Sequence, residues 1–117
     1  MIKKHSLLKS FGYAFEGLKT AFKNEANFRI QLAIAVIVLS LSVFLKFSAL
    51  EMIILITVAG LILILELINT AIEILAGEEI TPKAKTIKDI SAAAVVIAVI
   101  LSVIVGLLLF IPKIWEI

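Results

Sequence analysis

The run Glu66-Leu67-Ile68-Asn69-Thr70-Ala71-Ile72-Glu73 places two carboxylates, an amide and a hydroxyl inside a stretch that is otherwise leucine, isoleucine and alanine. On a helix, Glu66, Asn69, Thr70 and Glu73 fall at i, i+3, i+4 and i+7, which gathers them on one stripe and leaves the other faces apolar. An ionisable group at the centre of a membrane helix costs at least about 2.5 kcal/mol, so such groups are kept mainly where they face a bundle interior or a site of chemistry. Two carboxylates two turns apart, a third at Glu25 on the amino-terminal segment, and nearby lysines suit a site that holds a divalent cation and phosphate oxygens. Phosphoryl transfer needs little more than positioning, positive charge on the phosphoryl oxygens and one acceptor for the proton of the attacking hydroxyl. Glu66, deepest in the apolar region, is the natural acceptor, while Glu25 and Glu73, nearer the water interface, suit magnesium. Neither G-x-x-x-x-G-K-[ST] nor G-x-G-x-x-G occurs, so the two common nucleotide cradles are missing.

The elements that must hold these residues follow from composition. Of the 117 residues, 62% are hydrophobic and the mean hydropathy is +1.20, far above the roughly 45 to 50% apolar content of soluble domains. The length suits a single domain, and the lack of cysteine excludes disulfides, thiolate metal sites and cysteine nucleophiles. Apolar spans at about 30–47, 49–76 and 90–111 are each long enough for a hydrocarbon layer of roughly 30 Å. Ahead of them, over about 6–28, Leu7, Leu8, Phe11, Phe15, Leu18 and Phe22 recur at helical spacing opposite Lys9, Glu16, Lys19, Lys23 and Asn24, the pattern of an interfacial amphipathic helix. The expected fold is all-α and integral to the membrane, with three transmembrane helices, an amino-terminal interfacial helix and assembly into an oligomeric bundle. Oligomerisation is expected because three helices cannot by themselves shield the polar stripe from lipid. No cleavable signal peptide is expected, since the first apolar span begins late and lacks a cleavage pattern.

Basic residues orient the chain. Lys3, Lys4, Lys9, Lys19, Lys23 and Arg29 precede the first span and Lys83, Lys85 and Lys88 lie between the second and third, whereas Lys46 is the lone lysine of the loop to Glu51. By the positive-inside rule the amino terminus, the second loop and the polar stripe are expected to face the cytoplasm. Lys113 and Trp115 then anchor the far interface. Gly77 suits the residue after a helix, Thr81 an N-cap and Pro82 a first helical position, which makes a tight hairpin. Counting about 1.5 Å per residue from Pro82 brings Asp89 level with Thr70, so Asn69, Glu73, Lys88 and Asp89 are expected to meet.

Three blocks carry a family resemblance: Asn24-Glu25-Ala26-Asn27-Phe28-Arg29, then Glu66 to Glu73 as above, then Lys88-Asp89-Ile90-Ser91-Ala92-Ala93-Ala94-Val95. In order and approximate spacing, over nearly the whole chain, they resemble the signature blocks of the small prokaryotic diacylglycerol kinases. The resemblance implies a homotrimer with active sites shared between protomers, passing the ATP γ-phosphoryl to the hydroxyl of a membrane lipid, diacylglycerol or undecaprenol, at the cytoplasmic surface. It implies Glu66 as catalytic base supported by Asn69, Glu25 and Glu73 as Mg2+-binding carboxylates, and Lys88, Asp89 and Tyr13 at the nucleotide site. No nucleic-acid partner is expected. The stretch Ala49-Leu50-Glu51 and the ending Ile111-Pro112-Lys113-Ile114-Trp115 look more like the Gram-positive, undecaprenol-preferring branch.

The chain also departs from that pattern. Between Glu73 and Asp89 it is about one turn shorter than usual, Gly77 stands where an acidic residue is expected, the loop histidine is missing and Ser6 takes a place often basic. These changes bear on the adenosine and polyphosphate contacts, for which Glu78, Glu79, Lys83 and Lys85 are possible substitutes. Each residue also has a plainer role: a helix-terminal hydrogen bond for Asp89, snorkelling for Lys88, interhelical bonding for Glu66 and Asn69, and helix packing for the small-residue face of Ser91, Ala94, Ala98, Ser102 and Gly106. His5 reads as a solvated terminal residue. An ion-coupled membrane transporter is the alternative function, but it needs its carboxylates at the midplane, and a purely structural subunit leaves the carboxylate stripe unexplained.

Overall fold

A computed structural model describes residues 6–78 and 80–117. His5, Lys3, Lys4 and Glu79, which entered the sequence reading, lie outside the described residues. The chain is all-helical: α1 (Leu7–Asn24), α2 (Ala26–Phe44), α3 (Ala49–Ala76) and α4 (Pro82–Trp115), with no strand among the described residues. Helices α2, α3 and α4 are each long and apolar enough to cross a membrane. Only 6% of the most apolar window of α4 is buried, and 17% in α2 and α3, so most of the isoleucine, leucine and valine side chains point outward. The radius of gyration, 17.4 Å, exceeds the roughly 13 Å of a compact globule of this length. This is an open bundle whose apolar surface needs lipid or further helices, not a closed core.

Most of what is buried recurs every seven residues: Phe28, Ala35 and Ser42 on α2, Leu55 and Ile62 on α3, Ala84, Ser91 and Ala98 on α4, with Glu66, four residues past Ile62, outside the period. That period is the seam spacing of closely aligned helices, and the small residues on α4 let its backbone approach α3, its main partner. Asn69, seven residues after Ile62, continues the α3 seam into the polar stripe.

The helix ends are chemically specified. Ser6 caps α1, its side chain accepting from the Lys9 amide at 3.4 Å, so its polar group serves the helix terminus. Ser48 and Glu51 form a capping box at the start of α3, with Glu51 accepting from the Ser48 amide at 2.7 Å. Glu51 also pairs with Lys113 of α4 at 3.1 Å, and Phe47 packs against Phe110 with ring centroids 4.8 Å apart, so one end of the hairpin is pinned by charge and ring contact. At the other end Gly77 closes α3 with φ 75 and ψ −166, a conformation open almost only to glycine, and Thr81 caps α4 by accepting from Ala84 N at 3.0 Å.

Two expected boundaries are corrected. The amphipathic helix stops at Asn24, not near residue 28, because Glu25 is extended (φ −117, ψ 106) and α2 starts at once with Ala26. The physical cause lies in Arg29: its guanidinium donates to the carbonyls of Phe22 (2.8 Å) and Lys23 (3.1 Å), satisfying the last turn of α1 from outside the helix. The first apolar span ends as helix at Phe44, where Leu45 turns and Lys46 takes a positive φ of 60. Helix α4 starts at Pro82 with Thr81 as its cap, where the punctuation placed them, and runs unbroken to Trp115 with Pro112 inside its last turns, so the helix extends beyond the apolar span of 90–111.

Candidate active site

Glu66, Asn69, Thr70 and Glu73 lie on the last three turns of α3, before Gly77. Glu66 is buried, at 5% exposure within a single chain, and the other polar side chains in that class among the described residues are Ser42 and Ser91. Both serines satisfy their hydroxyls by hydrogen bonds. The Glu66 carboxylate makes no hydrogen bond or ion pair among the described residues. The charges that act on it through space are those of Glu25 and Glu73, so the fold does converge three carboxylates from the α1–α2 junction and from α3 on one region.

Glu25 gets there by an unexpected route. It is not on the amphipathic helix but is the extended residue between α1 and α2, half-buried, C-cap of one and N-cap of the other. Arg29 stands four residues on, where an ion pair with Glu25 would ordinarily form. Its guanidinium is instead committed to the Phe22 and Lys23 carbonyls, and no ion pair joins the two side chains among the described residues. The Glu25 carboxylate is thereby kept available for a cationic ligand.

Asn69 is held from both sides. Its Oδ1 accepts from Ser91 Oγ at 2.6 Å and its Nδ2 donates to Glu73 Oε2 at 3.2 Å. Thr70 turns inward on its own helix, its hydroxyl donating to the Glu66 carbonyl at 3.0 Å. The hairpin therefore places residue 69 opposite residue 91, within one residue of the expected level.

Rotation about the helix axis decides the rest. At about 100° per residue, Lys88 lies about 60° from Ser91 around α4, and Asp89 about 160°. Accordingly Lys88 is half-buried on the side of the seam. Asp89 faces away, 63% exposed and paired with Lys85 at 2.6 Å, and does not join Asn69 and Glu73 as expected. Of the loop substitutes, Lys85 is engaged in that pair, while Glu78 and Lys83 are exposed. Tyr13 is 61% exposed on α1 and stands about 16 Å along the helix from Asn24.

Among the described residues no three carboxylate or histidine side chains come close enough to form a complete metal-ligand set. Magnesium does not need one: it usually takes one or two protein carboxylates and fills its octahedron with water and substrate phosphates. The pair Glu25 and Glu73 fits that demand. Ser91, read from sequence as a packing residue, is the member of the polar cluster that was missed. Its signal was present, since a hairpin register tight enough to bring Asp89 level with Thr70 also brings Ser91 level with Asn69, and only the helical phase tells which residue points inward.

An apolar groove of about 460 Å3 runs between α1, α2 and α3, lined by Phe15, Phe22, Phe28, Leu32, Leu63 and Leu67 among others. Leu63 and Leu67 stand within one turn of Glu66 on α3, about 60° and 100° from it around the helix axis, and Glu66 itself is not among the residues that line the groove.

Residues 12–110 match the model of the prokaryotic diacylglycerol kinase family. The chain is 39% identical over 111 residues to a diacylglycerol kinase of Synechocystis sp., covering 92% of this chain and 63% of that protein. It is 38% identical over 108 residues to the undecaprenol kinase of Bacillus subtilis, covering 90% and 88%, and 34% identical over 101 residues to the diacylglycerol kinase of Escherichia coli, covering 84% and 83%. The fold and site define a membrane protein with a buried carboxylate at one end of its helical bundle. The chain belongs to the prokaryotic diacylglycerol kinase family, and with it to the lipid-kinase class of phosphotransferases.

Proposed function

We propose that this protein transfers the γ-phosphoryl of MgATP to the hydroxyl of a membrane lipid at the cytoplasmic face of a bacterial plasma membrane. The observation that supports the assignment is Glu66: a residue only 5% exposed in an apolar span, whose carboxylate has no hydrogen-bond partner among the described residues and lies in the field of two further carboxylates, with an apolar groove on the same stretch of α3. In this reading the lipid lays its chain in the groove and presents its hydroxyl to Glu66. The hydroxyl oxygen bonds to the γ-phosphorus as the bond to the ADP oxygen breaks, and the hydroxyl proton passes to the Glu66 carboxylate. Glu25 and Glu73 would hold Mg2+, which when bound supplies positive charge to the phosphate oxygens. Asn69 orients Glu73 through its amide, and Lys88, on the seam side of α4, supplies a further cation to the polyphosphate. Tyr13 and Asp89 are proposed at the nucleotide. In this proposal the site is completed by a neighbouring protomer of a homotrimer.

The groove takes an acyl or a polyprenyl chain equally well by its apolar lining, and relatives of both kinds occur. The deciding experiment measures magnesium-dependent transfer of labelled γ-phosphate from ATP to diacylglycerol and to undecaprenol, side by side, using purified protein in lipid. Transfer to one or both, absent in Glu66→Gln, is the expected result. A folded wild-type oligomer that phosphorylates neither lipid would overturn the assignment.

A further inference from the structure

We infer that Ser91 is a positioning residue for phosphoryl transfer, holding the Asn69 amide in place from α4 and, through it, the Glu73 carboxylate. The inference rests on the lipid-kinase reading above. An asparagine side chain has a carbonyl acceptor at one end and an amino donor at the other, and either end is able to face Glu73 by a rotation of half a turn. Only one orientation is useful. With the amino group toward Glu73 the carboxylate gains a hydrogen bond, whereas the carbonyl would meet it as one acceptor against another.

The Glu73 carboxylate, an acceptor only, selects the orientation, and Ser91 holds it. The Ser91 hydroxyl donates to Asn69 Oδ1 at 2.6 Å across the α3–α4 seam, while the Asn69 amino group donates to Glu73 Oε2 at 3.2 Å. Ser91 is itself 8% exposed, and its neighbours in the seven-residue α4 seam are alanines, Ala84 and Ala98. Packing alone would accept alanine here as well. A hydroxyl at the seam position level with Asn69 gives the amide carbonyl the partner that an alanine would deny it. The chain Ser91 to Asn69 to Glu73 leaves one Glu73 oxygen without a bond among the described residues, and outer hydrogen bonds of this kind orient carboxylates for cations, with losses of about 10- to 100-fold when they are removed.

The test uses the full-length protein in lipid, with the lipid that the wild type phosphorylates, and titrates Mg2+ at fixed ATP for Ser91→Ala, Ser91→Thr, Asn69→Ala and the double variant Ser91→Ala/Asn69→Ala. Ser91→Ala is expected to lower kcat or raise the half-saturating Mg2+ by about tenfold or more, with the KM for lipid unchanged. Ser91→Thr, which keeps the hydroxyl, is expected to restore most of the activity. In the Asn69→Ala background Ser91→Ala is expected to cost nothing further, because the residue through which it acts is gone. Should Ser91→Ala fail to assemble, Ser91→Cys, similar in size but a weak donor, takes its place with the same expected loss. Normal kcat and Mg2+ dependence in the alanine or cysteine variant, or an equal loss in both backgrounds, would remove Ser91 from this role while leaving the kinase reading intact. A wild type that transfers nothing to either lipid would remove both.

Discussion

At the scale of single residues the proposed chemistry rests on which carboxylates are left free. Glu66 is buried and lacks a hydrogen bond among the described residues, Glu25 is released because Arg29 is engaged elsewhere, and Glu73 is bonded through one oxygen to an oriented amide. Replacing Glu66 with Gln keeps the volume and removes the proton acceptor. Transfer is expected to fall below detection while ATP binding and assembly persist, measured by calorimetry and size-exclusion chromatography beside the transfer assay. Glu73→Ala is expected to raise the half-saturating Mg2+ by about 10- to 100-fold, and an unchanged titration would take Glu73 out of metal binding. The triad Glu66, Asn69 and Glu73 was legible from spacing alone, because four polar residues at i, i+3, i+4 and i+7 in apolar surroundings admit one helical face. The pairing of Asp89 with Lys85 was not. Residues adjacent in sequence diverge by about 100° around a helix, so a count of depth places both Lys88 and Asp89 correctly along α4 and says nothing about which points inward.

At the scale of elements the junctions do the positioning. The break at Glu25 sets α1 off from α2, and Arg29 stabilises it by bonding two carbonyls that α1 leaves open. Arg29→Ala is expected to fray the last turn of α1, seen as faster amide exchange near residues 21–25, and to weaken Mg2+ dependence because Glu25 is the junction residue. Both bonds come from the single nitrogen Nη1, so Arg29→Lys, whose ammonium also carries several donors on one atom, is expected to restore part of the protection. At the other end of the site Gly77 meets no atom within 4 Å of an added Cβ, but its φ of 75 with ψ −166 excludes other residues. Gly77→Ala should therefore cost about 1 to 3 kcal/mol by backbone strain alone, read as a lowered unfolding midpoint, with the seam hydrogen bonds unaltered. Gly77, Thr81 and Pro82 were readable as punctuation. The end of α1 was misplaced because Ala26-Asn27-Phe28 has no intrinsic reason to leave a helix, and the guanidinium that caps α1 arrives from the next helix.

At the scale of the whole molecule the surface is inside out. Three spans present most of their apolar side chains outward, and the apolar side chains of α1, from Leu7 to Phe22, are likewise exposed. Such a chain is complete only in a bilayer and, as proposed here, in a homotrimer. The orientation is open to a direct test because the chain contains no cysteine. In right-side-out vesicles, a cysteine replacing Lys46 is expected to react with a membrane-impermeant maleimide, and one replacing Lys83 only after the membrane is opened. The reverse pattern would place the carboxylates on the wrong side for cytoplasmic ATP.

By itself the amino-acid sequence determined the all-helical membrane class, the hairpin of α3 and α4, the stripe of Glu66, Asn69, Thr70 and Glu73, and the family, because these depend on local periodicity, on polar groups too costly to bury without purpose, and on blocks in fixed order. Only the tertiary structure decided that Glu25 sits at a helix break, that Asp89 turns to Lys85, and that Ser91 bonds Asn69. Each of these depends on where one helix is rotated or capped relative to another. Rotation is set by the packing of small residues along the α3–α4 seam, and capping by a side chain from the following helix, so neither is encoded within any single segment.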